Sequence, residues 1–112
     1  MNTTAPQTKI ERHFYSKQLS AETYFDLKKE GYKLRVSTSK GSQCITTHCQ
    51  AVKLEKGIES FVMFGDFSKR IMTHTEAKRA TEKSIKECND KALENIQLVI
   101  DEANEFYNKE QN

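Results

Sequence analysis

The chain has 112 residues, of which 36% are hydrophobic and 30% charged, and a formal net charge of +2. That length holds one domain, and no stretch approaches the ~20 consecutive apolar residues of a membrane-spanning helix. A charge so near neutrality excludes any case for nucleic-acid binding from bulk charge alone.

The distribution of charge says more than its sum. Residues 92–112 hold five acids, Glu94, Asp101, Glu102, Glu105 and Glu110, against one base, Lys109, whereas the first 91 residues hold 17 bases and 11 acids. A basic body therefore carries an acidic end. Three cysteines, Cys44, Cys49 and Cys88, leave one over in any disulfide scheme. No apolar leader stands near Met1, so the expectation is reduced thiols and a cytoplasmic protein with no membrane partner.

Residues 1–15 are polar, contain the only proline, Pro6, and read as a flexible lead-in to a single domain over 16–112. Ser20 is a good N-cap, Lys28 and Lys29 suit a last helical turn, and Gly31 suits a closing glycine, so a short helix is expected between them. From Tyr32 the pattern alternates, with Tyr32, Leu34 and Val36 on one face and Lys33, Arg35 and Ser37 on the other, as in a half-buried strand. Ser39–Ser42 is a turn. A second strand is expected from about Gln43 to Leu54. Lys56-Gly57 supplies a tight reversal, and a third strand runs from Ile58 to about Phe67. The loops are short, which favours an antiparallel meander.

Beyond Thr73 the apolar period becomes 3.6. Thr73 with Glu76 reads as a capping box, and Ala77, Ala80, Ser84, Cys88, Ala92, Asn95, Val99, Ala103 and Phe106 recur at spacings of three and four. Ile85, Leu93, Ile96, Ile100 and Tyr107 widen that stripe. The expected fold is α+β, a short helix, a three-stranded antiparallel β-meander and a long C-terminal amphipathic helix over 75–108, in αβββα order. Such a helix would be about 50 Å long at 1.5 Å per residue, against a body about 30 Å across. Either it breaks, with Asn89-Asp90 the weakest point, or the N-terminal segment and first helix fold back over it, or a second copy of the chain covers Ile96, Val99, Ile100, Phe106 and Tyr107. A homodimer joined by those five residues is the expectation.

Chemistry is sparse. The strand spacing of Cys44 and His48 sets them about 13 Å apart, too far to share one ion, and there is no Cys-x-x-Cys. No nucleophile-elbow, phosphate-loop or dinucleotide motif is present. The residues imply no metal, no cofactor and no catalytic group. Cys49 with His48 or His74, or Cys44 with His74, would be the route to a small thiol enzyme, and buried, inert thiols are the simpler reading. Lys69, Arg70, Lys78, Arg79, Lys83 and Lys86 crowd the passage into the long helix, where free amides would add to an anion site. Lys78 and Lys86 also sit four residues from Glu82, and Lys83 four from Glu87, as on a solvated helix face.

The order helix, three strands, helix loosely resembles the double-stranded-RNA-binding domain, and Ala77 and Lys78 match the Ala-Lys that opens that family's last helix. His74 and Thr75 stand where that family has lysines, and the turn over Ser39–Gln43 lacks its Gly-Pro-x-His loop. The resemblance implies minor-groove and phosphate contacts at Lys78 and its neighbours. The preferred expectation is a non-catalytic binding, adaptor or inhibitor-type protein that docks on another macromolecule, as a homodimer and with a protein partner. A nucleic-acid-binding module using the basic cluster is the alternative, and a thiol enzyme comes third.

Overall fold

A computed structural model of the chain describes residues 8–12, 18–41, 44–54, 62–74 and 79–110. Five strands, β1 (Lys9–Arg12), β2 (Leu19–Asp26), β3 (Tyr32–Lys40), β4 (Ile45–Leu54) and β5 (Val62–His74), precede two helices, α1 (Glu82–Leu93) and α2 (Ile96–Glu110). The strands form one sheet in the order β1-β2-β3-β4-β5, every pair antiparallel. The α+β class holds. The expected αβββα order does not, and with it goes the topological likeness to the double-stranded-RNA-binding domain.

The expected short helix is strand β2. Its capping signals were real, but Leu19, Ala21, Thr23 and Phe25 alternate with Ser20, Glu22, Tyr24 and Asp26, and that period of two prevails once β3 is beside it. The register Ala21↔Thr38, Thr23↔Val36, Phe25↔Leu34 places the first set on the helix-covered face. Gly31 does not end a helix. At φ 83° it makes the left-handed step of the β2–β3 hairpin. Lys9–Arg12, expected within a flexible segment, pairs with β2 as an edge strand.

Strand β5 also runs further than expected, through Thr73 and His74, so that pair opens no helix. The helix starts about two turns later, where the Thr81 side chain accepts from the Ser84 amide and the Ser84 hydroxyl accepts from the Thr81 amide. The single long helix is two. It breaks at Glu94–Asn95, not at Asn89-Asp90, and the chain turns there through Glu94 N–H to Lys91 C=O and Leu98 N–H to Asn95 C=O bonds. With that turn both helices lie on one face of the sheet, inside a body of 44 × 32 × 27 Å. The Lys56-Gly57 reversal lies outside the described residues. No helix among the described residues is long and apolar enough to cross a membrane.

The core has two parts. Under α2, Leu27, Leu34, Val36, Cys49 and Ala51 meet Ile96, Val99, Ile100, Ala103 and Tyr107. Under α1, Leu19, Ala21 and Ile45 meet Ile85 and Cys88. On this same covered face a chain of buried hydrogen bonds links α1 to four strands. Asn89 Nδ2 donates to Thr23 Oγ1 (3.0 Å), and Thr38 Oγ1 donates to Asn89 Oδ1 (2.8 Å). Thr38 and Thr47 share a 2.6 Å hydroxyl contact, Thr47 Oγ1 lies 2.9 Å from His74 Nε2, and Thr23 Oγ1 lies 2.9 Å from Thr8 Oγ1.

Candidate functional site: the outward ridge of helix α2

The residues expected to act together are mostly separated. Strand alternation sends Lys69 to the helix-covered face, where it bonds both carboxylate oxygens of Glu102 at 2.9 and 3.0 Å, and turns Arg70 to the opposite face across from His48. Arg79 precedes α1 and is exposed, as are Lys83 and Lys86 on α1, where Lys86 pairs with Asp90 at 2.9 Å. Lys78 lies outside the described residues. Of the five expected interface residues, Ile96, Val99, Ile100 and Tyr107 are buried in the chain's own core, and Phe106 packs half-buried against it. The break at Glu94–Asn95 folds the second half of the apolar stripe back onto β3 and β4, so the uncovered length that called for a second copy is absent.

The thiols are free. Cys49 is fully buried and its thiol is pushed up to about 12 by loss of solvation, far from the depressed value a nucleophilic thiolate needs. His48 points to the opposite face of the sheet, and His74 is engaged by Thr47. Among the described residues no three His, Cys, Asp or Glu side chains cluster so as to hold a metal ion.

The face opposite the helices carries a closed ionic fork. Arg35 donates from Nε to Glu22 Oε1 (3.0 Å) and from Nη2 to Oε2 (2.7 Å), while Tyr24 Oη and Ser20 Oγ donate to the same carboxylate at 3.1 and 3.4 Å. Burial pushes the Glu22 carboxyl upward, but the Arg35 contact and the hydroxyl bonds outweigh it and hold it below the usual carboxylate value. Loss of solvation, followed by the Glu22 charge, raises the Tyr24 phenol to about 12. These groups satisfy one another and hold β2 to β3; they leave little to offer a ligand.

Helix α2 presents a different surface. Gln97, Leu98, Asp101, Glu102, Glu105 and Asn108 face outward, with Glu94 exposed just before them. Leu98 is 66% exposed, the only large hydrophobic side chain so placed among the described residues. Its spacing from Asp101, Glu102 and Glu105 within α2 puts it on the same face as those acids. Gln97 Nε2 donates to Asp101 at 3.0 Å and fixes that carboxylate's direction. A groove of about 210 Å³ between α2 and β5 is bordered by Lys69, Arg70, Ile71 and Met72 on the strand and by Leu98, Val99 and Glu102 on the helix. A second cavity, of about 580 Å³, separates α2 from the β2–β3 hairpin and is lined by Lys29, Glu30, Asp101, Glu105 and Tyr107 among others.

Leu98 was missed in the sequence because it falls off the apolar stripe of its own helix. That displacement is visible in the sequence, whereas the groove beside β5 that Leu98 borders is not. Comparison of the chain with protein-family models, with curated proteins and with solved structures finds no match.

Proposed function

We propose that the chain is a non-catalytic docking protein that binds a basic segment of a partner protein along the outward ridge of α2. The observation that carries this reading is Leu98, an exposed apolar side chain that shares its helix face with Asp101, Glu102 and Glu105. An apolar anchor inside a charged rim is the usual arrangement of a binding patch. The acids set the sign of the partner and speed its approach. Burial of Cys49 and the raised value of its thiol disfavour an enzyme. The pairing of Lys69 with Glu102 and of Lys86 with Asp90 disfavours a nucleic-acid site at the basic cluster. The reading needs no second copy, because the side chains expected to join two chains pack within one.

The test is fluorescence anisotropy with a labelled decapeptide of alternating lysine pairs and leucines. Binding is expected to weaken steeply between 50 and 200 mM salt, and to fall at least tenfold on Leu98→Ser or on Asp101→Asn with Glu105→Gln. Equal affinity of these variants and the parent chain would remove the proposal. Binding of a DNA or RNA duplex at 50 mM salt, lost on Arg70→Glu or Lys83→Glu, would replace it with the nucleic-acid reading.

A further inference from the structure

The cavity between α2 and the β2–β3 hairpin holds a charged group against aromatic rings. The hairpin is tightly tied. Leu27 N–H donates to Tyr32 C=O and Tyr32 N–H to Lys29 C=O, both at 3.1 Å, and Lys28 N–H donates to Asn104 Oδ1 on α2 at 2.8 Å. The root of the Lys29 side chain is therefore set against the helix. Its Nζ lies 4.5 Å from the Tyr32 ring centroid and 5.0 Å from that of Tyr107, both inside the ~6 Å reach of a cation–π contact.

The two rings stand 4.9 Å apart with their planes at 53°, so they form a wedge with the ammonium at its mouth. Tyr107 is 4% exposed and Phe106 meets it edge-on at 5.1 Å, while Phe106 in turn meets Phe67 at 5.8 Å. Those contacts belong to the core and do not depend on Lys29. Glu30, Asp101 and Glu105 line the adjoining space, whose volume of about 580 Å³ accommodates a long side chain.

We infer that Tyr32 and Tyr107, with Asp101 and Glu105 beside them, form a recognition site for the alkylammonium group of a lysine-type side chain, and that Lys29 is its resident, displaceable occupant. The inference rests on the docking reading for the source of the ligand, a lysine of the basic partner, and narrows it to one chemical group. A tethered occupant competes at an effective concentration in the millimolar range, so removing it strengthens binding of any free ligand. Aromatic faces favour a quaternary ammonium in the same way, which makes N-acetyl-trimethyllysine amide a suitable small probe.

The experiment titrates that probe into the full chain and follows the ring resonances of Tyr32 and Tyr107 by NMR. Lys29→Ala is expected to bind roughly tenfold more tightly than the parent chain, the size of one partly desolvated cation–π contact. Adding Asp101→Asn and Glu105→Gln to it should reverse the gain. Lys29→Gln repeats the measurement with a side chain that keeps its length, and thermal melting confirms that each variant is folded. Ring resonances that stay still in folded Lys29→Ala and Lys29→Gln would overturn the inference, leaving Lys29 as a stem resting on two tyrosines. Leu98→Ser separates the two proposals. It should abolish decapeptide binding and leave the trimethyllysine titration unchanged, so a silent wedge beside intact, Leu98-dependent peptide binding refutes the inference alone.

Discussion

The two helices cover the same face of one sheet, yet the ground beneath them differs in kind. Under α2 the contacts are dry: Leu34, Val36 and Ala51 meet Val99, Ala103 and Tyr107. Under α1 the apolar cluster is small, and Asn89, fully buried, reaches past it to Thr23 and Thr38. A hydrophobic contact of the α2 kind tolerates some sliding, because it is non-directional. The α1 contact does not, because each of its bonds has a direction and an unmade one is expensive in the interior. α2 supplies the larger share of burial, and α1 supplies the register.

Proton counting shows how directional that chain is. The single Thr38 hydroxyl proton goes to Asn89 Oδ1, so Thr47 must provide the proton of the 2.6 Å contact between the two threonines. Thr47 then has only lone pairs left for His74, and Nε2 of His74 must carry a proton. From His74 through Thr47, Thr38 and Asn89 to Thr23 every bond runs one way. An imidazole with its proton on Nδ1 alone would break the sequence. Long-range ¹H–¹⁵N correlation should accordingly find the proton of neutral His74 on Nε2, and a proton on Nδ1 would contradict the direction assigned here.

The sharpest way to break the contrast is through stability. Leu34→Ala, in the dry half, is expected to cost about 2–5 kcal/mol in urea unfolding, the range for a fully buried leucine whose site collapses only in part. Asn89→Leu, in the polar half, is expected to cost about 1–3 kcal/mol, the desolvation left on Thr23 and Thr38. Thr38→Val with Asn89→Leu should cost less than the sum of the two single changes, whereas Leu34→Ala with Asn89→Leu should be close to additive. Additive behaviour of the first pair would mean the bonded chain does not act as a unit.

The pH dependence sets the polar half apart from the uncovered face of the sheet. Burial, and then the Lys91 charge, hold the His74 imidazole below its ordinary 6.5. The unfolded chain therefore binds more protons than the folded one just below pH 6.5, and stability present above that pH is lost as pH falls through the lower folded value. His74→Gln should remove this loss. The Glu22 carboxyl, also held below its ordinary 4.5, adds stability that is present above pH 4.5 and lost on further acidification. Glu22→Gln should flatten only that second limb. The smallest expected effect on folding is at Leu98. Its replacement by Ser should change stability by no more than about 0.5 kcal/mol, so any loss of peptide binding reports on the ridge and not on the fold.

Much of the sheet could be read from the residues. The alternation of Tyr32, Leu34 and Val36 marks β3, and the β-rich stretch ending at Leu54 marks β4, because a period of two survives without knowledge of neighbours. β2 could not be read so easily. Ser20, Lys28, Lys29 and Gly31 sit where a short helix would want them, and only pairing with β3 makes its alternation decisive. The fork of Glu22 and Arg35 was invisible for the same reason, since 13 residues of chain separate its members and only register joins them. The basic cluster shows the converse failure. Neighbours in sequence, Lys69 and Arg70, end on opposite faces because they lie in a strand and not in the approach to a helix.

By itself the sequence determined the α+β class, the basic body and acidic end, two of the five strands in place, and a helical stripe over the last third, all of them properties of local pattern or composition. Tertiary structure alone decided that the stripe breaks at Glu94–Asn95 and folds back, that Asn89 meets two distant threonines, and that Lys29 rests between two tyrosines. The reason is physical. Periodicity states which side of an element must be covered, but what covers it depends on where the chain turns, and that is settled by contacts among residues far apart in sequence.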